Sequence, residues 1–228
     1  MTRNLTKRKR WQHAAIIGGT AATAAAIALP GALAAGPPAP FFEHGTNGVA
    51  GSDGAAKQID EGAGGQGALL TSVGSGYGNV GVNGGDGTAK TFGALTDVET
   101  EFNVTQGTCV GGSPRWVFHV SNPSNPKDTH YFWVYFDNTH APSGGCDAGT
   151  QQDGNLIGGT TPQWYVDGSN TAETYGDVNS QYGSYVLKNI EVEADSGWAQ
   201  DNTLHAHVLQ VLLQNLKVNN ASYFKLPS

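Results

Sequence analysis

The sequence predicts an all-β protein, a β-sandwich of about eight or nine strands. The first reason is composition: 33 of the 228 residues are glycine, Lys and Glu are few, and Thr, Val, Tyr and Trp are frequent, which disfavours helices. The second is that apolar and polar residues alternate over short runs separated by Gly-rich turns. The third is that no internal repeat is visible, so we expect a single domain over residues 55–228.

The first 34 residues have the organisation of a signal peptide. Residues 7–10 are all basic, residues 14–29 form an Ala/Ile/Gly/Thr run, and Ala32-Leu33-Ala34 is a small-x-small pattern that signal peptidases cut. The run is too rich in Gly and Thr to supply the roughly 20 strongly apolar residues of a membrane span. We therefore predict cleavage after Ala34 and a secreted, extracellular protein in which residues 35–54 are a spacer.

The charge of the chain restricts its partners. Five of the twelve basic residues and none of the nineteen acidic ones lie in the first 34 residues, so residues 35–228 contain seven basic and nineteen acidic residues, a net charge of −12. Such a surface repels phosphate groups, and neither nucleic acid nor, after signal cleavage, a membrane is expected as a partner. Neutral sugars, cations and basic surfaces are compatible with it, and the oligomeric state stays open.

The chain contains two cysteines, Cys109 and Cys146. An isolated pair in an exported protein is most simply a disulfide. By the chain-entropy argument, closing a loop of this length stabilises a fold by roughly 4 kcal/mol. Metal binding by two cysteines without a CxxC partner is not expected, and oxidation outside the cell argues against a catalytic cysteine.

The first half of the domain is rich in turns. Short strands are predicted at Lys57–Glu61, Ala68–Val73 and Thr88–Phe92. Two Gly-rich runs, at residues 74–78 and 83–87, superficially resemble phosphate-binding loops. Neither of them opens a helix after an apolar strand, so we interpret both as tight turns.

Longer strands are predicted from residue 97 onward: Val98–Thr105, Arg115–Val120, Tyr131–Phe136, Gln163–Val166 and Tyr185–Glu193. The third of these is aromatic on both faces, which indicates a central strand with one face in the core and the other partly covered or binding. The last segment, Leu204–Val218, fits both the helical and the extended pattern. Its all-β context favours a strand with a bulge near Leu212-Leu213.

Three short signatures occur in the sequence: Thr108–Arg115, Asp195–Trp198 and Val211–Val218. Together, over roughly residues 55–222, they resemble a group of poorly characterised secreted bacterial proteins with a jelly-roll sandwich. The closing strand is also similar to that of galactose-binding-like carbohydrate-binding modules, in which an Asp takes the place of Gln214. The resemblance implies a jelly-roll-type sandwich. Because the replaced Asp often helps to anchor a structural calcium, whether calcium binds stays open.

The histidines and Arg115 are interpreted as structural. His205 and His207 would share a strand face, which is the beginning of a metal site in some jelly rolls, but no carboxylate follows them. His119, His130 or His140 could complete such a set, yet nothing in their spacing indicates it. We therefore expect no metal and no other cofactor. Arg115 follows a Gly-Gly-Ser-Pro turn and is expected to pair with a buried carboxylate.

Hydrolysis of a glycoside needs two acids that face each other across a cleft. Glu99 and Glu101 share a strand face, as do Glu191 and Glu193, and Asp137 follows the aromatic strand. A solvated outer face explains these acids most simply, so no catalytic residue is predicted. A polysaccharide-active hydrolase or lyase that uses two of them is the enzymatic alternative.

Aromatic side chains carry the functional prediction. Sugar rings stack their C–H faces on Trp and Tyr, while neighbouring Asp and Asn side chains bond the hydroxyls. The predicted ligand-binding residues are Tyr131, Trp133, Tyr135, Asp137, Trp164 and Trp198. We expect a secreted, non-enzymatic protein that binds an extracellular carbohydrate or cell-envelope polymer. A structural or adhesion protein of the cell surface is a further alternative.

Overall fold

The computed structural model describes residues 38–46, 52–62, 65–85, 87–107, 113–136, 150–195 and 208–224. The predicted signal peptide and the predicted disulfide between Cys109 and Cys146 lie outside the described residues. So do Trp198, Asp137 and the His205/His207 pair. Within the described ranges, no helix is long and apolar enough to cross a membrane.

The described chain is built almost entirely from β-strands. The strands are β1 (Phe41–Thr46), β2 (Asp53–Gly62), β3 (Gly65–Val73), β4 (Gly76–Asn83), β5 (Val98–Gln106), β6 (Arg115–Asn122), β7 (Asn125–Tyr135), β8 (Thr150–Asp153), β9 (Tyr165–Val166), β10 (Val186–Asp195), β11 (Val208–Val218) and β12 (Ala221–Tyr223). A 3₁₀ helix (Phe92–Ala94) precedes β5, and one α-helix, α1 (Tyr175–Tyr182), precedes β10.

The strands form two antiparallel sheets. The order in the first sheet is β1-β4-β10-β6-β7-β9, and in the second it is β2-β3-β11-β5-β8, with β12 paired to β11. Four nested pairs join early strands to late ones: β3 with β11, β4 with β10, β5 with β8 and β6 with β7. Successive pairs alternate between the two sheets, which is jelly-roll connectivity. The predicted all-β sandwich is confirmed.

The hydrophobic core lies between the sheets because each strand turns alternate side chains inward. Trp116 and Phe118 of β6 and Ile190 and Val192 of β10 are all at most 2% exposed. The second sheet contributes residues such as Leu213 of β11. The segment Leu204–Val218, ambiguous in sequence, is thus a strand over its described part. Its register shifts fall at Gln210/Val211 and Gln214/Lys217 rather than at the predicted position.

The Gly-rich runs interpreted as tight turns are turns only in part: residues 74 and 75 form a turn and residues 84 and 85 a bend, whereas residues 76–78 and 83 belong to β4. A Cβ placed on Gly76 would lie 1.9 Å from the carbonyl oxygen of Asp53 in β2. Glycine is needed here because two strand backbones approach closely at the corner between the sheets. Strand β1 was missed as well; it lies inside the predicted spacer and pairs with β4.

Two elements near the core differ from the predicted strands. Thr88–Phe92 is not a strand: only Thr91 forms an isolated bridge, and Phe92 begins the 3₁₀ helix. Helix α1 was not predicted, although Thr174 and Asp177 form a capping box at its first turn. The side-chain oxygen of Thr174 accepts a hydrogen bond from the backbone N–H of Asp177, and the Asp177 carboxylate accepts one from the backbone N–H of Thr174.

Phe92 closes one end of the core. It is fully buried, and its ring centroid lies 4.9 Å from that of Phe132 and 5.5 Å from those of Trp164 and Tyr175. These rings come from β7, the β9 region and α1. One side chain therefore ties the irregular segments to the sandwich.

We expect Phe92→Ala to lower the free energy of unfolding by about 3–5 kcal/mol, because it leaves a cavity in a packed aromatic cluster. Urea denaturation measures the change. Tyr131→Ala is the matched control, since this ring is 43% exposed and its loss should cost less than about 1 kcal/mol. Equal costs for the two variants would contradict the packing role of Phe92.

Candidate functional site

The outer face of the first sheet brings several of the predicted site residues together. We use this name for the side chains of β1, β4, β10, β6, β7 and β9 that alternate away from the core. Because neighbouring strands are paired in register, these side chains form rows across the sheet. Each row combines residues that are far apart in sequence.

Two neighbouring rows make up the centre of the outer face. The first row is Phe41, Gly81, Glu191, Val117, Trp133 and Tyr165. The second row is Glu43, Asn79, Glu193, Arg115 and Tyr135. With about 4.8 Å between adjacent strands, the six-strand first row spans about 24 Å.

Aromatic side chains occupy one side of the outer face. Tyr131, Trp133 and Tyr135 share this face of β7, as predicted; Tyr131 is exposed and the other two are half-buried. Strand β9 adds Tyr165, whose ring centroid lies 5.1 Å from that of Tyr135. Burial raises the pKa of Tyr135 and of Tyr165, so both phenols are hydrogen-bond donors at neutral pH.

Trp164 is placed differently from the prediction. It is fully buried, with its ring centroid 4.8 Å from that of Phe118 and 5.5 Å from that of Phe92. Its neighbour Tyr165 begins the short strand β9 and turns outward, so Trp164 turns inward. Trp164 therefore belongs to the core and offers no surface to a ligand.

Glu191 lies near the middle of the first row and is half-buried. The amide nitrogen of Asn79 donates a hydrogen bond to its Oε2 at 2.6 Å. Burial has the largest effect on the pKa of Glu191 and, together with the nearby charges of Glu43 and Glu193, raises it to about 7. The hydrogen bond from Asn79 acts in the opposite direction and lowers this pKa. A Cβ on Gly81 would lie 2.6 Å from Cγ of Glu191, so glycine at this position gives the acid its space.

Glu193 belongs to an ion-paired group. A guanidinium nitrogen of Arg115 lies 2.9 Å from Oε1 of Glu193 and 3.1 Å from Oδ2 of Asp195. Burial raises the pKa of Glu193, while Arg115 opposes this effect. Arg115 itself is only 7% exposed. The prediction that Arg115 pairs with a buried carboxylate is confirmed.

The outer face retains hydrogen-bonding capacity that the described protein groups do not use. Among the described residues, the buried atoms Oδ1 of Asn79, Nε2 of His119 and Oδ1 of Asn189 have no hydrogen-bond partner. His119 and Asn189 are cross-strand neighbours. Burial, and then the charge of Lys188, lowers the pKa of His119, which favours its neutral ring. Unpaired buried polar atoms are costly, and these three all belong to side chains of one face of the sheet.

The other predicted acids and histidines lie elsewhere. Glu99 faces outward on the second sheet and pairs with Lys217 at 3.0 Å, and Glu101 is on the same face of β5. Neither of them can act together with the acids of the first sheet. His130 contacts Asp167 through one ring nitrogen and Asp128 through the other, which is a structural arrangement.

Sequence reasoning missed part of this face. Phe41, Asn79 and Gly81 were not identified because β1 and β4 were not predicted as strands. Tyr165 lies in the predicted strand Gln163–Val166, but only the pairing of β9 with β7 places it beside Trp133. The alternation of Glu191 and Glu193 was visible in the sequence; their position on a central strand was not.

Comparison of the sequence with known proteins identifies no relative of this chain. No protein-family model matches the chain, and no curated protein matches its sequence. The functional argument therefore depends on the geometry of the outer face.

We expect Glu191 to make the protein less stable as the pH rises. Its pKa is raised from 4.5 to about 7 in the folded state, so between these values the folded protein holds a proton that the unfolded chain releases. Stability contributed by this proton is present below about pH 4.5 and is lost as the pH rises through 7, a change of about 3 kcal/mol or less.

Urea denaturation at pH 5 and pH 8 tests this expectation. The change in free energy of unfolding between the two pH values should be smaller in Glu191→Gln than in the unmodified protein. Glu99→Gln is the control, because this acid lies on the other sheet and pairs with Lys217. An unchanged pH dependence in Glu191→Gln would show that Glu191 ionises normally.

Proposed function

We propose that the outer face of the first sheet binds an extracellular polysaccharide and that the protein is exported to meet it. The observation that carries the proposal is the first row, which has aromatic side chains at both ends and Glu191 near its middle, with polar side chains in the rows beside it. A span of about 24 Å suits several units of an extended glycan. The predicted signal peptide supports export, and the jelly-roll connectivity agrees with a binding role.

The aromatic side of the face supports stacking of sugar rings. Trp133 and Tyr165 are neighbours in the first row, and Tyr135 packs against Tyr165. Half-buried rings held by neighbouring strands lose little conformational freedom when a ligand stacks on them, which favours affinity. The apolar C–H faces of a sugar match these ring faces.

The polar side chains beside the first row support hydrogen bonding to hydroxyl groups. Among the described residues, Asn79 and Asn189 each have a side-chain carbonyl oxygen without a partner, and His119 has an unpaired ring nitrogen. A ligand with many hydroxyls supplies both donors and acceptors at such positions. Pockets for small polar ligands combine apolar walls with a few polar groups in the same way.

Charge supports a neutral glycan rather than an anionic one. The outer face carries the acids Glu43, Glu191, Glu193 and Asp195, and Arg115 is already paired with two of them. An anionic polymer such as a polyuronate would be repelled by this face. We therefore propose a neutral polysaccharide as the ligand class.

An adhesion role receives less support from the described surface. Among the described residues, Tyr131 is the only large hydrophobic side chain that is exposed. Protein-docking surfaces usually present a contiguous apolar patch. A face that combines aromatic and polar side chains is more typical of carbohydrate recognition.

We expect Trp133→Ala to weaken polysaccharide binding by about fivefold, because it removes a stacking surface worth about 1 kcal/mol. Retention of the purified protein on insoluble xylan, cellulose and chitin, followed by tryptophan fluorescence, measures binding. Glu99→Gln, on the outer face of the second sheet, should bind like the unmodified protein. Unchanged binding by Trp133→Ala would remove the proposed mechanism, and absence of binding to every neutral polymer would contradict the proposed function.

A further inference from the structure

We propose that pH regulates binding at the outer face through His130, which holds the turn beside Trp133 in place when its ring is protonated. This inference rests on the proposed function, because the property that it regulates is the affinity for the polysaccharide. His130 and the two acids that it contacts, Asp128 and Asp167, are called the clamp below. Asp128 and His130 belong to β7, and Asp167 directly follows β9, the edge strand of the first sheet.

The turn that follows β9 is fixed to β7 through Asp167. The backbone N–H of Asp167 donates a hydrogen bond to the carbonyl oxygen of Tyr131 at 2.8 Å, and the backbone N–H of Tyr131 donates one to Oδ1 of Asp167 at 2.8 Å. Asp167 has a φ of 49°, a left-handed conformation that a non-glycine residue keeps only when its surroundings hold it there. The contact of His130 with Oδ2 is a third bond to the same residue.

The same turn lies against Trp133. A Cβ placed on Gly168 would lie 3.3 Å from Cζ3 and 3.6 Å from Cη2 of Trp133, so the backbone of the turn reaches the edge of the indole ring. Trp133 is half-buried and pairs with Tyr165 in the strand before the turn. When the turn is held, the ring is ordered before a ligand arrives. When the turn is loosened, part of this ordering has to accompany binding, which lowers the affinity.

His130 has a carboxylate at each of its ring nitrogens. Nδ1 lies 2.5 Å from Oδ2 of Asp167, and Nε2 lies 3.1 Å from Oδ1 of Asp128. A protonated ring has an N–H for each carboxylate, whereas a neutral ring has only one. A hydrogen bond between two charged groups is also roughly twice as strong as one in which a partner is neutral. Loss of the proton therefore weakens the hold on Asp167, whichever nitrogen keeps its hydrogen.

The remaining surroundings of His130 are uncharged at neutral pH. The phenol rings of Tyr182 in α1 and Tyr185 before β10 pack on it, with centroid distances of 4.6 Å and 5.7 Å. Its neighbour on β6 is the apolar Val120. The hydroxyl of Tyr185 donates a hydrogen bond to Asp128 at 3.0 Å and so fixes the acid on that side of the ring. Among the described residues, the charged groups in contact with the ring are thus the two acids of the clamp.

The test compares affinities at pH 5 and pH 8, on either side of the range in which histidine side chains titrate. The probes are soluble xylan, mixed-linkage β-glucan and chitin oligosaccharides. Because Glu191 also changes its ionisation in this interval, the quantity compared is the ratio of the affinity at pH 5 to that at pH 8. We expect this ratio to be roughly fivefold larger in the unmodified protein than in His130→Gln, whose side chain is neutral at both pH values.

His44→Gln is the matched control. His44 is an exposed histidine of β1, the strand at the opposite edge of the same sheet. This variant should keep the affinity ratio of the unmodified protein. A ratio as low as that of His130→Gln would assign the pH dependence to histidine content in general and would overturn the inference.

Asp167→Asn is a second variant, which keeps the proposal testable if His130→Gln does not fold. Asparagine tolerates the left-handed conformation, keeps an acceptor for the N–H of Tyr131, and offers an amide N–H to the neutral ring of His130. Its affinity ratio should be as low as that of His130→Gln. If the clamp were only structural, both variants would lose affinity equally at the two pH values. An unchanged ratio would therefore overturn the inference.

A measurement without ligand separates this inference from the proposed function. Because the turn packs against Trp133, tryptophan fluorescence should change between pH 5 and pH 8, and the change should be smaller in His130→Gln and in Trp133→Phe. The same change in all three proteins would overturn the link between the clamp and Trp133. Binding with the same affinity ratio in His130→Gln as in the unmodified protein would overturn the inference and leave the proposed function standing. Absence of binding to every neutral polymer would remove both.

Discussion

The pairing of β10 between β4 and β6 is the constraint on which the rest of the structure depends. Strand β10 is aligned with both neighbours, so alternation assigns each of its side chains to one side of the sheet. Ile190 and Val192 enter the core, and Glu191 and Glu193 face outward. A shift of register by one residue would bury both acids and expose both apolar side chains. Fold and candidate site are therefore fixed by the same pairing.

The outer face carries an energetic cost that its surroundings partly offset. Removing the Glu193 and Asp195 carboxylates from water is unfavourable, and Arg115 compensates by bonding both of them. Among the described residues no such cation acts on Glu191, and burial raises its pKa to about 7. Natural folds commonly accept strain or unpaired groups at functional sites while the core supplies the stability. The packed aromatic cluster around Phe92 supplies part of that stability here.

Sequence patterns predicted the fold better than the site. The long strands β5, β6, β7, β10 and the described part of the last segment were predicted because their apolar residues alternate clearly. Strand β4 was not predicted, because its glycines are required where two strands approach each other closely. A local sequence pattern does not reveal such an approach. For a similar reason, the sequence alone could not show that Trp164 is buried while other aromatic side chains are on the surface. Its burial depends on Phe92 and Phe118, which are distant in sequence.

The order of strands in the first sheet explains why the acids and the aromatic side chains lie together. The nested pairs of the jelly roll place β10 next to β6, and β6 next to β7 and its aromatic residues. Trp133 and Glu191 lie in the same row, two strands apart. The polysaccharide site that we propose would therefore place a ligand stacked on Trp133 beside this half-buried acid. The aromatic surface and the raised pKa of Glu191 both follow from the position of β10 inside the sheet.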